Sequence, residues 1–325
     1  LYVNNGTGYF TEEAAARGVA SILSGRTAVI VDVTGDGHLD IMAGSNTVLE
    51  VFVNDGTGHF TLDGPFPGDP QYMFSIAVAE LSGQGGVLDA VVAPKTDQLQ
   101  VVEDVQLGGS VRPVSSFSAD WRGAEVLDVN LDGLVDISAV GQGVHGAWMN
   151  HGAGVFADVS DAWGMLETSD TPLAVVAADI DNDGDEDVLV TKYGAVLRNH
   201  NARPGLGTWL KVRPLTAAGS PSAFGSRVDV QCVSDCATPW SSVRVTASGS
   251  PYESSSGYDI VVGLPWPSAT YNVSVRWAGN AYPVSNHTTN PFLGGIVPSA
   301  LSASQRVLEV WPGFTVRATW AEPWD

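Results

Sequence analysis

Asp179-Ile-Asp-Asn-Asp-Gly-Asp-Glu-Asp187 places carboxylates at Asp179, Asp181, Asp183 and Asp187, with Gly184 directly after the third. Alternate spacing along a curling, extended backbone turns these side chains toward one centre. Gly184 stands where the tight turn needs a residue tolerant of positive φ. So many like charges in one loop repel one another unless a cation sits among them. Calcium suits the set, because it takes roughly six to eight oxygens in loose geometry, carboxylates and backbone carbonyls alike. The carbonyl expected here is that of Asp185. Apolar runs at 173–178 and 188–190 flank the loop, so it is expected to join two buried strands rather than two helices.

The loop recurs. Asp32-Val-Thr-Gly-Asp-Gly-His-Leu-Asp40 keeps Asp32, Asp36 and Asp40, with Thr34 in the second slot and His38 offering the carbonyl. Asp128-Val-Asn-Leu-Asp-Gly-Leu-Val-Asp136 supplies Asp128, Asn130, Asp132, the Leu134 carbonyl and Asp136. Glu80-Leu-Ser-Gly-Gln-Gly-Gly-Val-Leu-Asp89 has one extra residue and lacks the central aspartate, so it is expected to be a packing turn without metal. The starts at 32, 80, 128 and 179 lie 48, 48 and 51 residues apart. A regular period of that size in a β-patterned chain predicts propeller blades or a β-solenoid. Around the first three loops, strands are expected before (28–31, 74–78, 124–127) and after (41–43, 90–93, 137–140). A further strand at 49–53 runs into Asn54-Asp-Gly-Thr-Gly-His-Phe60. The same turn stands at Asn4-Asn-Gly-Thr-Gly-Tyr-Phe10 and Asn150-His-Gly-Ala-Gly-Val-Phe156. Asn-Gly and Asp-Gly steps between apolar runs signal hairpins.

The opening half of the loop is similar to an EF-hand loop, but the apolar run at 188–190 stands where the closing glutamate would be. The two motifs recurring in register resemble FG-GAP (VCBS) repeats, the blades of integrin-type β-propellers, over residues 1–202. That resemblance implies that Asp32, Asp36, Asp40, Asp128, Asn130, Asp132, Asp136, Asp179, Asp181, Asp183 and Asp187 ligate calcium, about three Ca2+ ions in all. It also implies an all-β fold: a propeller of four visible repeats, closed or partial, joined to a C-terminal β-sandwich-like domain.

Past residue 202 the loop pattern stops, and seven of the ten tryptophans follow residue 208. The shift in composition marks a second domain, 203–325. Strands are expected at 209–213, 226–232, 242–247, 258–262, 271–277, 306–311 and 314–320, with Pro312-Gly313 turning the last two into a hairpin. Short alternating strands of this number suggest a sandwich or small barrel. Thr208-Trp-Leu-Lys-Val-Arg213, Ala223-Phe-Gly-Ser-Arg-Val-Asp-Val230, Tyr252-Glu-Ser-Ser-Ser-Gly257 and Tyr271-Asn-Val-Ser-Val-Arg-Trp277 follow in the order of an ASPIC/UnbV domain. That domain follows FG-GAP repeats in cartilage acidic protein and its relatives. The usual Trp-Pro-Ser-Gly is Trp277-Ala-Gly-Asn280 here.

A net charge of −21 opposes nucleic-acid binding, which wants a basic face. No apolar run reaches the roughly 18 residues of a membrane span. Cys232 and Cys236 are expected to form a local disulfide if the loop brings their Cα atoms within about 7 Å. Asn5, Asn272 and Asn286 open N-glycosylation sequons. Leu1 falls inside a blade pattern, which reads as a fragment edge or processed end. The six histidines, His38, His59, His145, His151, His200 and His287, are dispersed, and no nucleophile elbow, zinc helix or phosphate loop occurs. The expected protein is therefore a secreted or surface-displayed, calcium-binding adhesion or scaffold protein and not an enzyme. Its acidic rims would meet protein or glycan partners. Two alternatives are a protomer of an extracellular fibre, assembled through strand edges or the tail, and a carbohydrate-binding module using tryptophans as stacking platforms.

Overall fold

The computed structural model describes residues 1–20, 24–64, 72–83, 86–106, 109–165, 172–181, 183–190, 195–197, 208–216, 218–219, 224–247, 259–278, 292–296, 307–311 and 315–319. The described residues are all-β and contain no helix. A two-stranded hairpin, β1 (Tyr2–Asn4) with β2 (Phe10–Glu12), opens the chain. Antiparallel meanders follow. The first is β3 (Gly25–Val31), β4 (Asp40–Ser45), β5 (Leu49–Asn54) and β6 (Phe60–Asp63). The second is β7 (Met73–Ala79), β8 (Asp89–Pro94), β9 (Asp97–Val102) and β10 (Val111–Ala119). The third is β11 (Trp121–Leu127), β12 (Asp136–Gly141), β13 (Val144–Asn150) and β14 (Phe156–Asp158). The last is β15 (Val175–Ala178), β16 (Asp187–Val190) and β17 (Ala195–Leu197).

Each acidic loop joins the first two strands of its sheet. The first strands β3, β7, β11 and β15 pack against one another in chain order. Period-2 alternation explains how. On β7, Ile76 and Val78 enter a core shared with Val29, Val31, Met42 and Val51 of the preceding sheet. Ala77 and Ala79 face the other way, into a core with Trp121, Ile137 and Trp148 of the next sheet. The third core joins Leu127, Val140 and Ala147 to Val175, Ala177 and Val188. Sheets packed face to face in series are the arrangement of propeller blades. The register slips at Gly25/Thr27, Met73/Ser75 and Trp121/Gly123, so a bulge opens three successive first strands at the same 48-residue period. Gly123 lets the next first strand come close at one of them, because a Cβ there would lie a tight 3.2 Å from the Val175 backbone nitrogen.

From Thr208 two sheets face each other. One runs β21 (Ile260–Leu264), β18 (Thr208–Pro214), β24 (Val307–Trp311), β25 (Thr315–Thr319). The other runs β20 (Ser241–Val245), β19 (Arg227–Ser234), β22 (Thr270–Arg276), β23 (Phe292–Ile296). Leu210, Val212, Val228, Val230, Val262, Tyr271, Val273 and Val275 fill the space between them as a sandwich core. The sequence had not marked β23, which adds to the edge of β22. It had marked the final hairpin, but not that β24 docks parallel to β18. Residues 202–207, 252–257, 281–291 and 312–314 lie outside the described residues.

Candidate metal loops and their cover

The most regular feature of the loops is their closing aspartate. Asp40, Asp89, Asp136 and Asp187 are all fully buried. Asp40 Oδ2 accepts from Val33 N at 3.0 Å, and Oδ1 from Asn54 N at 2.8 Å. Asp136 repeats this with Val129 N at 3.0 Å and Asn150 N at 2.8 Å. Asp89 does so with Leu81 N at 2.8 Å, Ser82 N at 2.9 Å and Asp104 N at 2.8 Å, although its loop lacks the central aspartate. Asp187 Oδ2 accepts from Ile180 N at 3.0 Å. In the first three sheets this carboxylate staples the loop entrance to the end of the third strand. Burial pushes Asp40 up to about 6 and Asp136 up to about 8 and raises Asp89, against the backbone N–H bonds that pull each down. A cation in the loop would reverse such shifts.

The asparagine of the Asn-x-Gly-x-Gly turn completes the staple. Asn54 donates through Nδ2 to Leu39 O at 2.9 Å and accepts Gly56 N on Oδ1 at 3.0 Å. Asn150 donates to Val135 O and, across to the preceding sheet, to Leu81 O, both at 3.0 Å. The two motifs therefore recur in register because they are bonded to each other. By its local pattern alone the asparagine is only a turn former. The signal was available: it follows the closing aspartate by 14 residues in both cases. His38 and Leu134, the expected carbonyl donors, turn their side chains onto this turn: a Cβ at Gly56 would stand 2.5 Å from His38 Nε2, and one at Gly152 would stand 3.9 Å from Leu134 Cδ1.

The opening halves of the loops differ. Asp32 is turned onto its own loop, accepting from Gly35 N and Gly37 N at 2.8 Å and from Thr34 Oγ1 at 3.3 Å. Burial raises its carboxyl above the ordinary range. Asp36 accepts from His38 N at 2.8 Å. Asp128 accepts from Asp132 N at 3.1 Å and Gly133 N at 2.9 Å, while Asn130 donates to Asp132 Oδ2 at 2.9 Å. Among the described residues, Asp179, Asp181 and Asp183 form the one group of three that brings its ligand atoms within 4.8 Å of one another. Asp181 and Asp183 are exposed, and Asp183 accepts from Asp185 N at 3.2 Å. Asp179 Oδ1 is buried and has no hydrogen-bond partner among the described residues. Three converging carboxylates and an orphaned buried oxygen fit a hard cation. Asp185 is itself buried.

The sandwich sits on the loops, a cover that the expected acidic rims of the repeats do not by themselves imply. The Trp209 ring occupies the space beside Gly184, where a Cβ would be 1.7 Å from its Cε2; Trp240 occupies the space beside Gly133, at 2.2 Å from Cζ2. Lys211 Nζ pairs with Asp179 Oδ2 at 2.5 Å. Arg244 Nη2 lies 3.6 Å from Asp128 Oδ2, and Gly263 N donates to that same oxygen at 3.0 Å. Arg227 donates to Gly86 O at 2.8 Å in the second loop. In the first, Leu39 packs where a Cβ at Gly225 would be 2.5 Å away. Every loop thus touches the sandwich, and two of them receive both a cation and a tryptophan. The reason is charge: loops rich in carboxylate attract the few basic side chains of an acidic chain. A cleft of about 590 Å³ remains between the two parts, bordered by Glu125 and Glu186 on one side and Arg213, Arg244 and Asp259 on the other.

Cys232 and Cys236 are joined by a disulfide just past the core of β19, with Cα atoms 6.2 Å apart. Asn5 is exposed in the first turn, its Oδ1 accepting from Thr7 Oγ1 at 2.7 Å. Asn272 lies on the outward-facing side of β22, alternating with buried Tyr271 and Val273. Asn286, His200 and His287 lie outside the described residues. No helix among the described residues is long and apolar enough to cross a membrane.

Residues 32–92 and 128–190 match the FG-GAP-like repeat family, and each match opens on the first aspartate of a loop. No curated protein matches the chain. Among solved structures, an Agrocybe aegerita lectin described for specific recognition of non-reducing terminal N-acetylglucosamine is 16% identical, with a TM-score of 0.41, over 67% of this chain and 66% of that one. The V. cholerae biofilm matrix protein Bap1 is 16% identical, with a TM-score of 0.35, over 77% of this chain and 52% of that one. The chain spans just under two thirds of the lectin and about half of the matrix protein. Likeness at this level transfers neither a ligand nor a site.

Proposed function

We propose that this chain is a non-catalytic, calcium-stabilised scaffold or adhesion protein that works outside the cell. Residues 1–202 form its FG-GAP-type part and 203–325 its ASPIC/UnbV-like part. The observation that carries the calcium reading is the convergence of Asp179, Asp181 and Asp183 around a buried Asp179 oxygen that lacks a partner among the described residues. The carboxylates of the loops at 32–40 and 128–136 are the further ligand sets. The local disulfide agrees with an oxidising, extracellular setting. Calcium binds the folded loops and not the unfolded chain, so it adds stability by mass action, about 2.7 kcal/mol at a hundredfold excess over Kd. Excess EDTA is therefore expected to lower the melting temperature by roughly 5–10 °C, restored by calcium but not by sodium. An unchanged calorimetric transition would remove the reading.

A second reading is favoured by the β1–β2 hairpin. Among the described residues it stands as its own two-stranded sheet and exposes Tyr2, Tyr9 and Phe10, at 70%, 75% and 61%. Two-stranded hairpins are marginal alone, and free strand edges invite pairing. On this reading the chain is a protomer that assembles through that edge. Sedimentation velocity is expected to show mass growing with concentration, and Tyr2→Lys with Phe10→Lys is expected to abolish the growth.

A further inference from the structure

We infer that Lys211, contributed by the sandwich, sets the charge of the cation site in the 179–187 loop, so that the site is composite and matched to a divalent ion. The inference rests on the calcium reading of this loop and adds to it a residue that no repeat motif contains.

Asp179, Asp181 and Asp183 together carry three negative charges at their converging oxygens. One of those carboxylates is already engaged: Asp179 Oδ2 holds the Lys211 ammonium at 2.5 Å. Both side chains are sealed from water, 6% and 2% exposed. Asp179 Oδ1 is left without a hydrogen-bond partner among the described residues. A buried carboxylate with one oxygen on an ammonium and the other unclaimed is a bridge between two cations. Lys211 offsets one negative charge of this set and so lowers its preference for a trivalent over a divalent ion. Without it, the loop carries one more uncompensated negative charge and favours a trivalent ion. Lys211 sits on β18 next to Trp209, whose ring lies on Gly184 inside the same loop. The lysine therefore reaches the site only while the sandwich is seated, and the seated sandwich brings an indole to the metal loop.

That indole supplies the readout. Terbium bound in this loop is expected to be excited through Trp209, and the emission lost in Trp209→Phe belongs to this loop. Calcium competition against terbium in the intact chain then gives the affinity ratio of the two ions. Lys211→Met is expected to raise the terbium-to-calcium ratio by about a hundredfold, the size of one unit-charge interaction across about 6 Å at an effective dielectric constant of about 20. Lys211→Arg, which keeps the charge, is expected to hold the wild-type ratio. Lys211→Gln can still donate to Asp179 and keeps the sandwich seated if the methionine variant does not fold; its ratio is expected to rise as well. A loosened loop would weaken both ions together and leave the ratio alone. A ratio unchanged in Lys211→Met or Lys211→Gln, with Trp209-dependent emission intact, overturns the role of Lys211 and leaves the calcium reading standing. A wild-type chain with no Trp209-dependent emission and no calcium competition removes both.

Discussion

Asp89→Ala is expected to cost about 3 kcal/mol or more of unfolding free energy, although its loop is the one least suited to metal. The side chain is fully buried and accepts from Leu81 N, Ser82 N and Asp104 N. Alanine removes all three acceptor contacts at once and leaves the buried Leu81 and Ser82 amides in a site water does not reach, with the Asp104 amide part-buried beside them. Each such orphaned group costs about 1–3 kcal/mol. Asp89→Asn keeps one oxygen and should lose roughly half as much. The variant separates two meanings of the closing aspartate. Were it only a calcium ligand, its loss in a loop without the central aspartate would be silent. As a staple, its loss is large, and the response to EDTA stays that of the parent. Urea unfolding with and without chelator measures both, and a cost under about 1 kcal/mol would rule the staple out.

The second large effect lies where the sandwich meets the loops. Gly184→Ala and Gly133→Ala each place a methyl group inside an indole, 1.7 Å from Trp209 Cε2 and 2.2 Å from Trp240 Cζ2. Both glycines also have positive φ, +96° and +85°, which a side chain adopts only with strain. Backbone strain of about 1–3 kcal/mol and overpacking of about the same size act together. The tryptophan must leave, and it carries β18 or the strand of Ser242 and Arg244 away from its loop. Expected results are a stability loss of about 3 kcal/mol or more, a red shift of tryptophan emission and new protease cleavage between the two parts. Gly35→Ala isolates the backbone contribution, because Gly35 has φ +74° and nothing within 4 Å of its missing Cβ. It should cost no more than about 1–2 kcal/mol and leave the emission unchanged. Equal effects at Gly35 and Gly184 would mean that the indole contact contributes nothing.

Much of the architecture was legible in the chain because its determinants are short-range. Alternating apolar residues, Asp-x-Asp-x-Asp-Gly loops and Asn-x-Gly-x-Gly turns lie within a few residues of the strands they organise. Their repetition at 32, 80, 128 and 179 revealed the series of sheets. Even the link between Asp136 and Asn150 was present as a constant spacing, though its chemistry was not read. The strand at Phe292–Ile296 escaped because its apolar pattern is short and flanked by Asn, Thr and Pro, and its place is decided by the edge of β22.

By itself, the sequence determined that the chain is built from repeated β units with carboxylate loops, followed by a second run of alternating strands. What covers those loops was settled only in three dimensions. Asp128 meets Arg244 and the Gly263 amide, and Asp179 meets Lys211, across separations of 32 to 135 residues. No local pattern encodes such a meeting. It arises because desolvated carboxylates require counter-charge and flat glycine turns admit aromatic rings, and folding brings the sandwich, which supplies both, onto the loops.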